Sequence, residues 1–384
     1  MKITGVTPHL LHPGVGKNLL FVKIETDEGI HGWGESYTQS DRDMTVVAHI
    51  EQLTRYLIGR DPMHIRHFMR WAYEDFATKR SAMDFWCAVS GIEIALWDIA
   101  GKAMDQPVYN LLGGPVRPRI RVYANGWSGG STPDEYAKAA VSIVDRGFTA
   151  MKFDPFPGPW RPYVDHAELE QAAAVVNAIR EAVGPHIELL VEVHRRLAPM
   201  NAIRVGKMME AARPYWFEEP VPAHNLAGMR EVRDAVNIPI VTGEALYGKE
   251  EFRQVCVERA ADILNPDICN CGGILELTQI ASMAEPFQIA VSPHGWNSTS
   301  VGAAAAIQAS AVMPNFLIYE YMVHVEAFSQ DISKNPIRPD GGYIELPTEP
   351  GIGIDLDESK FEKYPYRQFP PRDIRTVEDE RQYQ

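Results

Sequence analysis

Apolar and polar positions along the chain fall into three regimes. Over residues 1–40 they alternate with a period of two. A first run lies near 2–11, and LLFVKIET (19–26) and IHGWGES (30–36) flank Asp27-Glu28-Gly29. That alternation around an acidic-Gly turn predicts antiparallel strands with a hairpin. Between the first two strands HPGVGKN (12–18) reads as a glycine-rich surface loop. From Asp43 to about Met104 the period lengthens to three and four: Val46, Val47, Ile50, Leu53, Tyr56 and Leu57 form one stripe, and Ser81 precedes a long helix through Trp97 and Ile99. Strands followed by helices define a small α+β unit. Pro107 and Gly113-Gly114-Pro115 close it.

Beyond residue 116 short apolar runs alternate with helical stripes. Strands are predicted at 120–124, 149–153, 188–193, 214–218, 239–242, 262–265, 287–291 and 316–320. The intervening stripes include Leu226, Met229, Val232 and Val236, then Phe252, Val255 and Cys256, then Ile274, Leu277, Ile280 and Ala281. Thr132-Pro133 opens the first helix as N-cap and first helical residue. Glu192, Glu218, Glu244, Asp267, His294 and Glu320 close successive apolar runs at intervals of 26, 26, 23, 27 and 26 residues. About 25 residues is one strand plus one helix, so the repeat predicts a (β/α) barrel with these six at the strand C-termini, where barrel active sites are built. After Glu320 no further βα unit follows. Residues 330–384 are rich in Pro, Gly and charge and are expected to return to the N-terminal unit before an extended tail. The expected division is 1–115, 116–325 and 326–384.

Composition narrows the classes. With 384 residues, 45% apolar and 23% charged, the chain is an ordinary globular one. A net charge of −14 with no Lys/Arg-rich block argues against nucleic acid or an anionic membrane as partner. Four cysteines complete no zinc site and read as buried free thiols. The N-terminus lacks a signal-peptide core and the apolar runs are too short to span a bilayer, so a cytoplasmic protein is expected.

The recurring polar residues carry the chemistry. A single Glu at a βα junction is usually a cap or a surface ion-pair residue. Three at successive strand ends, with strands about 5 Å apart, converge within reach of one ion. Glu192, Glu218 and Glu244 supply only oxygen, which favours a hard cation such as Mg²⁺. Glu219 competes with Glu218, and alternation allows only one of them to face inward. Asp267 and His294 end neighbouring strands, so the carboxylate can orient the imidazole as a general base. His194, two residues after Glu192, shares its face if the strand persists, which sets it across the barrel from His294. Lys152 ends the second strand as a cation for a substrate carboxylate, and Glu320 ends the eighth beside the cluster.

These residues resemble the enolase superfamily, in its mandelate racemase-like branch. ALWDIAGKAMDQPVYNLLGG (95–114), FEEP (217–220), TGE (242–244), ADILNPD (261–267) and IYE (318–320) carry the resemblance. It implies a modified (β/α)₇β barrel with an α+β capping domain formed by the N-terminal region and the C-terminal segment. It also implies Mg²⁺ on Glu192, Glu218 and Glu244, Asp267–His294 as base, Glu320 as a hydrogen-bond partner of the substrate, and usually a homo-oligomer. Family members often carry Asp where Glu192 stands. Racemases of the branch carry Lys-x-Lys where this chain has Lys152-Phe153-Asp154, which counts against racemisation. VYANGW (122–127), KFDPF (152–156) and a His two residues after the third-strand ligand look like the gluconate- and galactonate-type dehydratases. Those enzymes usually show His-Gly-Arg in place of His194-Arg195-Arg196.

The expected activity is therefore Mg²⁺-dependent dehydration of an acid sugar, a small carboxylate, to its 2-keto-3-deoxy product. Epimerisation, racemisation or cycloisomerisation by the same enolisation is the alternative. A glycosidase using Glu218 and Glu244, or a non-catalytic barrel, is remote. Substrate contacts are expected from Asn125, Arg195 and Trp296, with the 12–18 loop and the region near 39–45 choosing among acid sugars.

Overall fold

The computed structural model describes residues 1–80, 82–156, 161–296, 298–371, 374 and 376–378. Ser81, the expected start of the long helix, lies outside the described residues.

Strands β1 (Ile3–Leu11), β2 (Leu19–Thr26) and β3 (His31–Ser36) form an antiparallel sheet in that order. Gly29 turns the hairpin at φ 79°, a conformation that costs glycine least. Helix Met83–Ala103 lies directly on β3, because a Cβ on Gly34 would sit 1.7 Å from the Gly91 carbonyl oxygen and one on Gly32 2.2 Å from that of Ala95. Only hydrogen fits at either position. Helix Asp43–Leu57 buries Val46, Val47, Ile50, Leu53 and Leu57, as its stripe predicted. Tyr56 does not belong to that stripe: it is 47% exposed, with its ring edge against Trp71 and Phe76 on the surface.

The barrel strands are β4 (Arg119–Asn125), β5 (Ala150–Phe153), β6 (Glu188–Glu192), β7 (Trp216–Glu218), β8 (Ile240–Thr242), β9 (Ile263–Leu264), β10 (Ala290–Val291) and β11 (Tyr319–Met322). Neighbours pair in parallel in chain order, and β11 returns to β4. A parallel bridge between Val291 and Phe316 closes the ring. Tyr123, Leu190, Trp216, Val241 and Ile318 fill the interior. Each strand from β4 to β10 is followed by a helix. The first, Pro133–Asp145, opens with Thr132 and Glu135 in a capping box. This is a modified (β/α)₇β barrel.

Three strands are shorter than the apolar runs suggest. Regular pairing stops at Thr242, Leu264 and Val291, before Glu244, Asp267 and His294. Gly243 turns away at φ 145°, and Pro266 and Pro293 have no N–H to continue the ladder. Asp267 and His294 nonetheless remain bridge partners. Glu320 does not end its strand; it lies inside β11, opposite Tyr123 of β4.

The C-terminal segment returns to the capping domain. Helix Glu326–Ile332 sets Phe328 against Phe21 and Tyr364, and Pro365 bridges Leu11. On the way β12 (Tyr343–Glu345) pairs antiparallel with the start of β4. Asp355 ties the segment to β3, accepting from Trp33 Nε1 at 2.9 Å and from Lys334 at 2.7 Å. All four cysteines are buried free thiols. No helix among the described residues is long and apolar enough to cross a membrane.

Candidate active site

Above the apolar filling, the C-terminal mouth of the barrel gathers carboxylates. Glu192 and Glu218 close β6 and β7, and Glu244 follows the Gly243 turn after β8. One oxygen from each lies within 4.8 Å of the others. Of the FEEP pair it is Glu218 that joins this group. Glu219, at φ 46°, turns out of the strand and accepts instead from the Thr242 hydroxyl at 2.5 Å and Gly243 N–H at 3.0 Å.

Each carboxylate is individually braced. Glu218 accepts from Lys152 at 2.9 Å, Asn265 at 2.7 Å and Trp216 Nε1 at 2.9 Å. Glu192 takes the backbone N–H of His194 at 2.5 Å on Oε1, while its buried Oε2 has no hydrogen-bond partner. Glu244 touches the Arg195 guanidinium, and its other oxygen lies 2.7 Å from His294 Nε2. Lys152, fully enclosed, also pairs with Glu320 at 2.8 Å and lies 3.7 Å from Glu192.

Burial, then the charge of Glu244, pushes Glu192 up to about 7. Burial and the charge of Glu192 likewise raise Glu218 well above the carboxylate range. Glu244 is held well below it, because Arg195 and His294 outweigh its burial. Burial opposes the charge on Lys152, yet Glu218 and Glu320 keep it firmly protonated. A divalent cation fits this donor set. It would meet three convergent hard oxygens beside a Glu192 Oε2 that accepts no hydrogen bond, and relieve their mutual repulsion.

Two histidines flank the carboxylates, each bound to an aspartate. His294 Nδ1 lies 2.7 Å from Asp267 Oδ2, and Asp267 Oδ1 accepts from Cys269 N–H at 2.7 Å. Burial raises the Asp267 carboxyl, whereas the charges of Glu320 and Glu244 outweigh burial at His294 and raise it well above the usual imidazole range. His194 is brought in by a turn and not by strand alternation: β6 stops at Glu192, and His194 and Arg195 adopt left-handed φ of 49° and 62°. Its Nδ1 lies 2.7 Å from Asp154 Oδ2, and the buried Arg196 grips the same oxygen. His194 follows the third barrel strand and His294 the seventh, opposite positions in a ring of eight.

Among the expected substrate contacts, Asn125 Nδ2 donates to Glu320 at 2.7 Å. Arg195 is engaged with Glu244 and lies 3.4 Å from Glu219. The Trp296 ring stacks on His324 at 5.4 Å. Asn265, Trp216 and the Asp154–Arg196 pair were not singled out as supports of the site from sequence. Asn265 had a signal, two residues before Asp267 in ILNPD. Trp216 had its mirror, two residues before Glu218.

Comparison with known proteins places this geometry in a family. The mandelate racemase / muconate lactonizing enzyme N-terminal domain matches residues 12–113, and the enolase C-terminal domain-like model matches 135–360. The chain belongs to the enolase superfamily, in its mandelate racemase/muconate lactonizing enzyme branch. Within that branch it is similar to D-gluconate dehydratase of Thermoproteus tenax, 36% identical over 348 residues, 90% of this chain and 69% of that protein. It is also similar to D-galactonate dehydratase of Variovorax paradoxus, 33% identical over 94% of this chain and 93% of that one. A solved mandelate racemase/muconate lactonizing enzyme from Sulfitobacter superposes with a TM-score of 0.89 at 35% identity, covering 96% of both chains.

Proposed function

We propose that the protein is a Mg²⁺-dependent hydro-lyase that dehydrates an aldonate-type acid sugar to a 2-keto-3-deoxy acid. The observation that carries this reading is the pair of His–Asp couples on opposite strands, each with Nδ1 2.7 Å from its carboxylate. Enolisation alone needs one base; elimination of hydroxide also needs an acid on the leaving group's side.

Glu192, Glu218 and Glu244 would hold the ion, which when bound supplies positive charge against the substrate carboxylate. Lys152 adds a fixed cation beside them, and Glu320, positioned by Asn125 and by Gly295 N–H at 2.6 Å, offers a hydrogen-bond partner to the substrate. Asp267 holds His294 through Nδ1, and Nε2, which lies 2.7 Å from Glu244, would exchange that contact for the substrate and take the C2 proton. The electron pair of that C–H bond becomes the enediolate. As the enediolate collapses, C2=C3 forms, the C3–O bond breaks, and His194 donates a proton so that water leaves. The resulting enol becomes the 2-keto-3-deoxy acid. Asn125, Arg195 and Trp296 are assigned to the remaining hydroxyls, which they would reach by exchanging their contacts with Glu320, Glu244 and His324.

A library of acid sugars incubated with the enzyme and Mg²⁺, assayed for 2-keto-3-deoxy products, tests the proposal. One or a few hexonates or pentonates should give keto acid. Epimers or lactones without keto acid would replace dehydration by the alternative enolisation outcome.

A further inference from the structure

The helices that follow Asp267 and His294 lack caps of their own. Helix Pro133–Asp145 is capped by Thr132 and helix His166–Val183 by Asp165. By contrast, Gly273–Ala284, after Asp267, and Ser300–Val312, after His294, begin with no side-chain cap from their own N-cap residues. A helix start leaves backbone N–H groups that must find partners.

Two capping-domain carboxylates supply them. Glu35, at the end of β3 and fully buried, accepts from Thr299 N–H at 3.1 Å, the Thr299 hydroxyl at 2.9 Å and Gly302 N–H at 2.7 Å. Glu93, buried within helix Met83–Ala103, accepts from Ile274 N–H at 2.7 Å, Leu275 N–H at 2.9 Å and Trp97 Nε1 at 2.7 Å. The approach of Glu93 requires glycine opposite it, since a Cβ on Gly273 would sit 2.0 Å from Glu93 Oε2. Burial pushes both carboxyls up to about 8 while these donors pull them down. Both oxygens of each accept N–H bonds, so the geometry is built for the ionised form.

A third link runs through the backbone to the dyad. Tyr37 N–H, two residues after Glu35, donates to the Cys269 carbonyl at 3.0 Å, and Cys269 N–H donates to the Asp267 carboxylate that holds His294. The Tyr37 ring lies 6.4 Å from the His294 ring.

We infer that Glu35 and Glu93 are positioning residues for the Asp267–His294 pair: the capping domain sets the geometry of the barrel's base by capping the two helices that its loops lead into. The role assigned to that pair rests on the proposed function; its placement by the capping domain does not.

Glu35→Gln and Glu93→Gln test the inference, because an amide must turn its own N–H towards one of the donors. Asp98→Asn is the control. Asp98 is an equally buried capping-domain carboxylate, but it accepts from Trp33 and Ile352 N–H, away from both loops. Two readouts are taken on the full-length protein with Mg²⁺. The downfield proton NMR signal of His294 Nδ1–H, identified by its loss in His294→Asn, reports geometry without any substrate. With a substrate from the screen, kcat and KM report its consequence. In both Gln variants the signal should shift or broaden and kcat fall about tenfold or more with KM within about twofold, since small misplacements of reacting groups are costly. Asp98→Asn should leave both readouts unchanged. Thr299→Val, which removes only the hydroxyl bond to Glu35, should move both the same way, by about two- to fivefold in kcat. It decides the matter if the Gln variants do not fold. An unmoved signal with wild-type kcat, or changes matched by Asp98→Asn, overturns the inference. A moved signal in a protein that turns over no acid sugar upholds the positioning and sinks the proposed function instead.

Discussion

Asp154 Oδ2 stands 2.7 Å from His194 Nδ1, the same separation that joins Asp267 to His294. Each imidazole thus has Nδ1 committed to an aspartate, which assigns proton transfer to Nε2; at His294 that atom also lies 2.7 Å from Glu244. His194→Asn should lower dehydration by about 10²–10⁴-fold while deuterium from D₂O still enters C2. Asp154→Asn should act in the same direction but less severely. Proton NMR time courses follow both signals, and equal loss of exchange and elimination counts against His194 as the acid.

His294→Asn is expected to abolish both signals together, by about 10²–10⁴-fold or more. Surviving C2 exchange in that variant would move the base elsewhere.

The FEEP pair separates metal binding from support. Glu218→Gln should abolish Mg²⁺ binding in calorimetry, whereas Glu219→Gln, which alters a residue bonded to Thr242 and Gly243 and paired with Arg195, should weaken it by about 10- to 100-fold. Mg²⁺ at about 100 times its Kd should stabilise the wild type by about 2.7 kcal/mol and raise Tm. EDTA should remove both that gain and the activity. Activity that survives EDTA would argue for a metal-free mechanism.

Gly34→Ala should destabilise the fold by about 1–3 kcal/mol or more, because the new methyl meets the Gly91 carbonyl oxygen at 1.7 Å and neither backbone can yield cheaply. Urea unfolding measures the loss. A midpoint equal to wild type would mean that β3 and the long helix are not in contact as described.

Asp355 governs part of the acid response. Burial would raise its pKa, but hydrogen bonds from His31 and Lys334 prevail and hold it well below its ordinary 3.8. A depressed carboxyl adds stability above the unfolded pKa and loses it as pH falls through the folded one. Asp355→Asn should therefore lower Tm at neutral pH and flatten its decline below about pH 4. Parallel wild-type and variant curves across that range would contradict this.

Much of this architecture was legible along the chain because its signals are local. Period-two and period-three/four patterning marked the sheet, the helices and the eight strands, and the 26-residue spacing brought together residues that meet at the barrel mouth. Distant or backbone-driven features were less visible. Strand alternation could not choose between Glu218 and Glu219 without the resemblance, and the left-handed turn at His194 carries no glycine to announce it. Asp154 looked like a missing lysine because its partners, His194 and Arg196, are some 40 residues away. Glu35 and Glu93 read as ordinary strand and helix positions, since the N–H groups they satisfy lie far down the chain.

The four thiols gain a use from their burial. Cys87, Cys269 and Cys271 are pushed well above the ordinary thiol range by burial, and Cys256 is raised by the same cause. The thiolate is the reactive form, so the folded protein should react slowly with alkylating reagents. Cys269 sits where Tyr37 of the capping domain meets the Asp267 loop. Its rate of modification should therefore report any separation of cap and barrel in the native chain, without any added label.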